Sequence, residues 1–330
     1  MMLPQLGAVT LADLQAPVGP QLDLVEAEMR RMIEDDFPLI GEVNQHLLRM
    51  RGKMFRPTLV LLADQATGGP TPRAATFAAV IELIHLATLV HDDSVDHSTL
   101  RRGMPTINAL FSHQISVIMG DFLYSRAVVE LVRLEDLEAL RVLSRVTTEM
   151  TVGEMRQLLA HDPLDFNEAQ YDLLIRAKTA SLMSGACEVG ALGAPEDQRR
   201  ALARFGEKLG MAFQITDDVL DYTADQAMTG KPSGLDLHEH KVTLPLIYAL
   251  PRLSRGERAA LESLMRSPDP EPDAIQAVVA AVAAHGGLEY ARERAQRLMS
   301  QAEDDLALLP DSPARETLRS ALGFVLERRS

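Results

Sequence analysis

A single cysteine, Cys187, stands in the 330 residues, which excludes an internal disulfide framework and a multi-cysteine zinc site and fits a reducing cytoplasm. Its neighbours, SLMSGACEVGA, read as a buried helix face, so the thiol is expected to pack rather than attack. Basic residues are also short. Lys and Arg total 33 against 47 for Asp and Glu, a formal charge of −14, so long-range attraction to nucleic acid or to an anionic membrane surface is not expected. Any anionic ligand must then be held by local cations or by metal. No stretch reaches roughly 18 uninterrupted apolar residues, and the first twenty lack the basic start and apolar centre of a signal peptide. GxxxxGK followed by Ser or Thr is missing too, which disfavours a nucleotide P-loop.

What is present is helical periodicity. Apolar residues recur at three- and four-residue spacing, as in FAAVIELIHLATLV, EMRQLLA and GMAFQITDDVLDY, and few segments alternate as an exposed strand would. The fold class expected is all-α: a single large helical bundle around a central apolar cavity, spanning residues 21–330, with residues 1–20 irregular or loosely attached. Breaks are read at 68–72, 102–105, 161–163, 193–195, 230–234, 267–270 and 286–287. None resembles a flexible linker, and no solenoid repeat or low-complexity tract is present.

Two clusters carry the chemistry. Asp92, Asp93 and Asp96 lie in HLATLVHDDSVDHSTLRRGMPTIN, and Asp217, Asp218 and Asp221 in FQITDDVLDY; both are DDxxD. On a helix the first and last aspartates of each cluster fall about 40° apart and one turn along, so both can face one cavity. Carboxylates so crowded repel unless cations neutralise them, and hard oxygen donors suit Mg²⁺, which keeps several waters and bridges to phosphate oxygens. A solvated acidic helix end is the bland alternative, but two copies, each preceded by strongly apolar residues, weigh against it. A di-iron site would need Glu and Glu-x-x-His pairs that do not occur here. Around the clusters stand Lys53, Arg56, Arg101, Arg102, Lys178, Lys231 and Lys241. Separately each reads as a surface charge; together they suit a ligand with more than one phosphate.

On these residues the chain resembles the trans-polyprenyl diphosphate synthases, head-to-tail prenyltransferases that lengthen an allylic diphosphate with isopentenyl diphosphate. The likeness runs through GKMFRP, the first aspartate stretch, MGDFLYSRA, GEMRQLL, Lys178-Thr179-Ala180, the second aspartate stretch and GKPSGLDLHEHKVTLPL. It implies that the six aspartates hold Mg²⁺, and that Arg101, Lys178, Thr179, Gln214, Lys231 and Lys241 contact the allylic diphosphate. Asp92, Asp96, Arg101, Lys178, Asp217 and Lys231 would be the catalytic set. It further implies that Lys53, Arg56, His85 and Arg102 bind isopentenyl diphosphate. By default a lone histidine in an apolar helix is a satisfied core residue, yet His85 lies within about 20° of Asp92 on the wheel. No side-chain general base is named.

Product length is expected to depend on the helix carrying the first cluster. Thr88, Ile84 and Ile81 fall within about 80° of Asp92 at successive turns, and Ala87 is carried over from the family as lining. Ala87 and Thr88 are small where an aromatic would close the tunnel early. This resembles the long-chain members, the octaprenyl diphosphate synthases among them, and implies six to ten isoprene units. A farnesyl or geranylgeranyl synthase is the alternative, followed by a non-catalytic subunit of a heteromeric synthase. A terpene cyclase or head-to-head enzyme would not need the Lys53, Arg56 and Arg102 set. Two positions depart from the family pattern: Met54 replaces a basic residue and His240 a glycine. The resemblance also implies a homodimer, with 109–119 as candidate interface, no transmembrane segment, and membrane contact only through the lipid product.

Overall fold

The computed structural model describes residues 9–50, 52–158, 163–223 and 234–327. Among these the chain is helical except for one minimal hairpin. Its helices are α1 (Leu11–Gln15), α2 (Gly19–Ile33), α3 (Pro38–Arg49), α4 (Phe55–Ala66), α5 (Ala74–Val95), α6 (Ile107–Leu110), α7 (His113–Arg133), α8 (Leu137–Leu158), α9 (Glu168–Ile175), α10 (Ser181–Gly190) and α11 (Glu196–Thr223). Beyond these come α12 (Leu235–His238), α13 (Leu244–Ala249), α14 (Arg255–Arg266), α15 (Pro272–Ala284), α16 (Gly287–Leu306) and α17 (Pro313–Leu326).

The two DDxxD helices form the centre. α5 packs on α7, α4, α2 and α10, and α11 packs on α16, α10 and α17. α5 is apolar on every side, and from Phe77 to Val90 its only ionisable residues are Glu82 and His85. A helix hydrophobic all round belongs either in a membrane or in a core. By length and composition α5 could cross a membrane, but its most apolar window is 72% buried inside the protein, which makes it the core helix of this bundle. Cys187 is fully buried on α10, and burial pushes its thiol up to about 12, in keeping with a packing role.

The expectation that residues 1–20 are irregular is corrected for those described. Thr10 and Asp13 close a capping box that starts α1, and a 3₁₀ turn (Ala16–Val18) leads into α2. Leu14 and Val18 are buried, and α1 packs on α4 and α17. Gln15 Nε2 donates to the Lys53 carbonyl at 2.8 Å, so this segment braces the loop that carries a candidate substrate residue. Its helix was hard to read because it is short and broken by Pro17, which costs periodicity without costing burial.

The hairpin pairs β1 (Leu100–Arg101) with β2 (Met104–Pro105). Its two central residues, Arg102 and Gly103, have φ of 52° and 75°, the positive-φ pair of a tight two-residue hairpin. Thr106 Oγ1 and Asn108 Nδ2 both donate to the Ser98 carbonyl, at 2.7 and 2.9 Å, and tie the hairpin to the end of α5.

Candidate active site

The site lies where α5, α8, α11 and the residues joining α9 to α10 meet. That junction, Arg176–Ala180, is a π-helical turn, a rare deviation that tends to occur where side chains must be re-aimed. It leaves Lys178 and Thr179 facing the interior. α11 can approach it closely because residue 210 is glycine: a Cβ there would lie 2.5 Å from the Ala180 Cα.

In the first cluster Asp92, partly buried, lies 3.7 Å from the Lys178 ammonium. The same ammonium is 2.8 Å from Glu154 and donates to Gln157 Oε1 at 3.4 Å. Burial raises the Asp92 carboxyl above the usual range, and Lys178 offsets only part of that. Asp93 is buried and held by Arg101, whose Nε lies 2.8 Å from each of its oxygens. Asp96 caps the end of α5 and stays exposed.

In the second cluster Asp217 is half-buried. Asp218 is buried, accepting from the Tyr171 hydroxyl at 2.5 Å and from Gln214 Nε2 at 2.8 Å. Gln214 in turn accepts from the Thr179 hydroxyl at 2.9 Å. Burial pushes the Asp218 carboxyl up to about 6. Asp221 accepts the backbone N–H groups of Leu235 and Asp236, both at 3.1 Å, and so fixes the segment that carries Asp236, His240 and Lys241. Asp236 is pushed up to about 7, by burial first and then by the neighbouring Asp218 and Asp221. His240 sits at φ 57° with its ring nitrogen 2.8 Å from the Ser267 carbonyl. The left-handed backbone accounts for the glycine that the family places there.

Two cavities share this wall. One, about 700 Å³, is lined by Asp96, Arg101, Tyr171, Gln214, Asp218, Asp236 and Lys241. The other, about 660 Å³, is lined by Arg56, Ile84, His85, Ala87, Thr88, Asp92, Tyr124 and Met150. Lys178 and Thr179 border both.

The α5 lining spans Ile84 to Asp92 and includes Ala87 and Leu89. On a helical wheel these positions cover about 100° to either side of Thr88, which is why Ala87 reaches the cavity although it points well away from Asp92. The Thr88 hydroxyl is satisfied by the His85 carbonyl at 2.8 Å. Ile81 is fully buried one turn below Ile84 and outside the lining of the cavity.

The second cation set gathers at the other end. Arg56 Nη1 bonds His85 Nε2 at 3.0 Å. Burial and the adjacent arginines hold His85 well below its ordinary value, so its imidazole is neutral and accepts from Arg56. Arg102 donates to the Met50 carbonyl at 2.9 Å, passing over Gly52, where a Cβ would come within 3.0 Å of its guanidinium. Lys53 is exposed beside it. Lys231 lies outside the described residues. Glu82, Glu154, Tyr171 and Asp236 were not picked out from the sequence. Tyr171 had a signal, since it stands seven residues before Lys178 and so on nearly the same face; buried Glu82 had none beyond being an acid in an apolar run.

A helical bundle in which two core helices bring carboxylates to a polar cavity that also holds Arg101, Lys178 and Lys241, with a more apolar cavity beside it, has the architecture of the isoprenoid synthases. The polyprenyl synthetase family profile matches residues 37–282, and the chain belongs to that family. It is 35% identical over 322 residues to the octaprenyl diphosphate synthase of Haemophilus influenzae, covering 97% of this chain and 98% of that one. Decaprenyl diphosphate synthase from Rhodobacter capsulatus superposes with a TM-score of 0.91 at 37% identity, covering 97% of this chain and all of that one (100%). Polyprenyl synthase from Caulobacter crescentus, solved with calcium and isoprenyl diphosphate, gives 0.92 at 31% identity, covering 98% and 100%.

Proposed function

We propose that this chain is a Mg²⁺-dependent head-to-tail prenyltransferase. It condenses an allylic diphosphate with successive isopentenyl diphosphates into a long-chain all-trans polyprenyl diphosphate of six to ten isoprene units. One observation carries the reading: the polar cavity and the apolar cavity meet at Lys178 and Thr179. A diphosphate held at the first can therefore extend its prenyl chain into the second.

The donor set fits the metal. We assign Mg²⁺ to the aspartates of the two clusters, in which Asp93, Asp218 and Asp221 are held by protein donors, Asp92 stands 3.7 Å from the Lys178 ammonium, and Asp92, Asp96 and Asp217 are the outer carboxylates. Among the described residues no three or more His, Cys, Asp or Glu side chains form a cage of their own, and Mg²⁺ bound through one or two carboxylates plus phosphate oxygens requires none. Magnesium there would offset the negative charge that grows on the departing diphosphate.

Lys178, Arg101 and Lys241 contribute fixed positive charge to the same oxygens, worth most where water is excluded. Arg56, His85, Arg102 and Lys53 orient the second diphosphate, so that the isopentenyl double bond faces the allylic carbon. Ile84, Ala87, Thr88 and Met150 keep the cationic carbon from water. The outer face of α7, where Ile118 is 63% exposed, is the surface we assign to a homodimer. With its one reduced thiol the enzyme would work in the cytoplasm, touching membrane only through its product.

The test is product analysis by chromatography with the purified chain, Mg²⁺ and both diphosphates. Products of six to ten units are expected, and chelation should abolish turnover. Chains that stop at farnesyl or geranylgeranyl would overturn the long-channel reading, and no turnover by the chain alone would point to a heteromeric subunit.

A further inference from the structure

Glu82 is the one acid in the apolar centre of α5, and only 2% of it is exposed. Burying a carboxylate costs several kcal/mol, so it persists only where partners compensate it. It stands one turn before His85 and about 60° around the helix, on the side where Arg56 reaches in to bond that histidine. Its charge acts on both Arg56 and Arg102. Two buried polar atoms at this spot have no hydrogen-bond partner among the described residues, Oε2 of Glu82 and Nε of Arg56. Each of the two is left without a partner, an incomplete network that rotation of the Glu82 and Arg56 side chains towards one another would complete.

We infer that Glu82 is the positioning residue of the isopentenyl diphosphate site: its carboxylate holds the Arg56 guanidinium, with His85 on the other edge, so that the remaining donors of Arg56 face the second diphosphate. This rests on the assignment of Arg56 to that diphosphate. Glu82 touches no substrate. Without it, Arg56 keeps its buried charge with only the weaker influence of Asp217 to offset it, and the guanidinium loses its fixed orientation.

The test is steady-state kinetics of Glu82→Gln, Arg56→Ala and the double variant in the full chain with Mg²⁺, with thermal melts to report folding. Glu82→Gln should raise KM for isopentenyl diphosphate at least tenfold, move the allylic KM less than twofold and change kcat less than threefold. In the Arg56→Ala background it should add less than twofold, because the pair acts as a unit. A merely structural role predicts additive losses, or equal changes in both KM values, and either result overturns the inference. An unchanged or lowered isopentenyl diphosphate KM does so as well. If Glu82→Gln fails to fold, Glu82→Asp keeps the charge and withdraws it by one methylene; a selective rise in the isopentenyl diphosphate KM supports the inference and equal changes overturn it. If Arg56→Ala itself moves both KM values equally, the substrate assignment fails; if Arg56→Ala is selective and the Glu82 variants are not, only the role of Glu82 fails.

Discussion

The two DDxxD clusters share a spacing but not an environment. In each, the middle aspartate is the most buried of the three and is held by the protein, Asp93 by a guanidinium and Asp218 by a hydroxyl and an amide. Asp93 thus has a full positive partner, whereas Asp218 relies on neutral donors and is pushed up to about 6 by burial. The last aspartates differ more. Asp96 ends its helix exposed, while Asp221 spends both oxygens on the backbone of α12. One motif has produced an open rim on α5 and a braced wall on α11. On the proposed reading the metal is held chiefly by the outer aspartates, Asp92 and Asp96 on α5 and Asp217 on α11.

The largest effect should come from the outer positions. Asp92→Asn and Asp217→Asn are each expected to lower kcat on the order of 10³-fold, because each removes a charged ligand from the group that stabilises the leaving diphosphate. Steady-state rates decide it, and a loss under tenfold at either position would break the proposed division of labour. The next effect separates the helices rather than the motifs, since α5 continues below its aspartates as a wall of the apolar cavity, whose lining among the described residues includes none from α11. Thr88 sits at the centre of that wall, so Thr88→Phe should shorten the product while the first condensation proceeds within about threefold of its normal rate. Products of unchanged length would place the floor elsewhere, with Tyr124, whose hydroxyl lies 3.4 Å from the Thr147 hydroxyl across α7 and α8, as the next position to truncate.

Much of this was legible in the sequence because it is periodic. The all-α class and both clusters follow from three- and four-residue spacing, whereas the pairing of Arg101 with Asp93 is seen only in the structure. What escaped depends on contacts between segments far apart in the chain. Tyr171 meets Asp218 across 47 residues, and Glu82 reads as an acid in an apolar run until Arg56 is folded against it. The π-turn that aims Lys178 and Thr179 leaves no mark in the pattern, and α1 is too short for its period to show.

The inner aspartates give smaller effects, on stability and unequal in size. Asp93→Asn should cost about 1–3 kcal/mol of stability, since it leaves Arg101 without its charged acceptor, and urea unfolding at neutral pH measures it. Asp218→Asn should cost less, because the carboxylate it removes is already penalised when charged. The sign with pH follows from the shift. Asp218 is raised from the ordinary 3.8 to about 6, so its proton is worth most at low pH: its contribution is fully present below about pH 4 and is lost as pH rises through 6. Asp236, raised to about 7, loses its share over the window from about 4 to 7. The metal-free protein should therefore melt at a lower temperature at pH 8 than at pH 6, provided other groups titrate little over that range. Mg²⁺ with inorganic diphosphate binds the ionised carboxylates and should raise the melting temperature more at pH 8 than at pH 6. Asp218→Asn should flatten the metal-free slope more than Asp93→Asn does. Equal flattening by the two variants in thermal melts would mean that the clusters are alike in charge as well as spacing, and the contrast between rim and wall would fail.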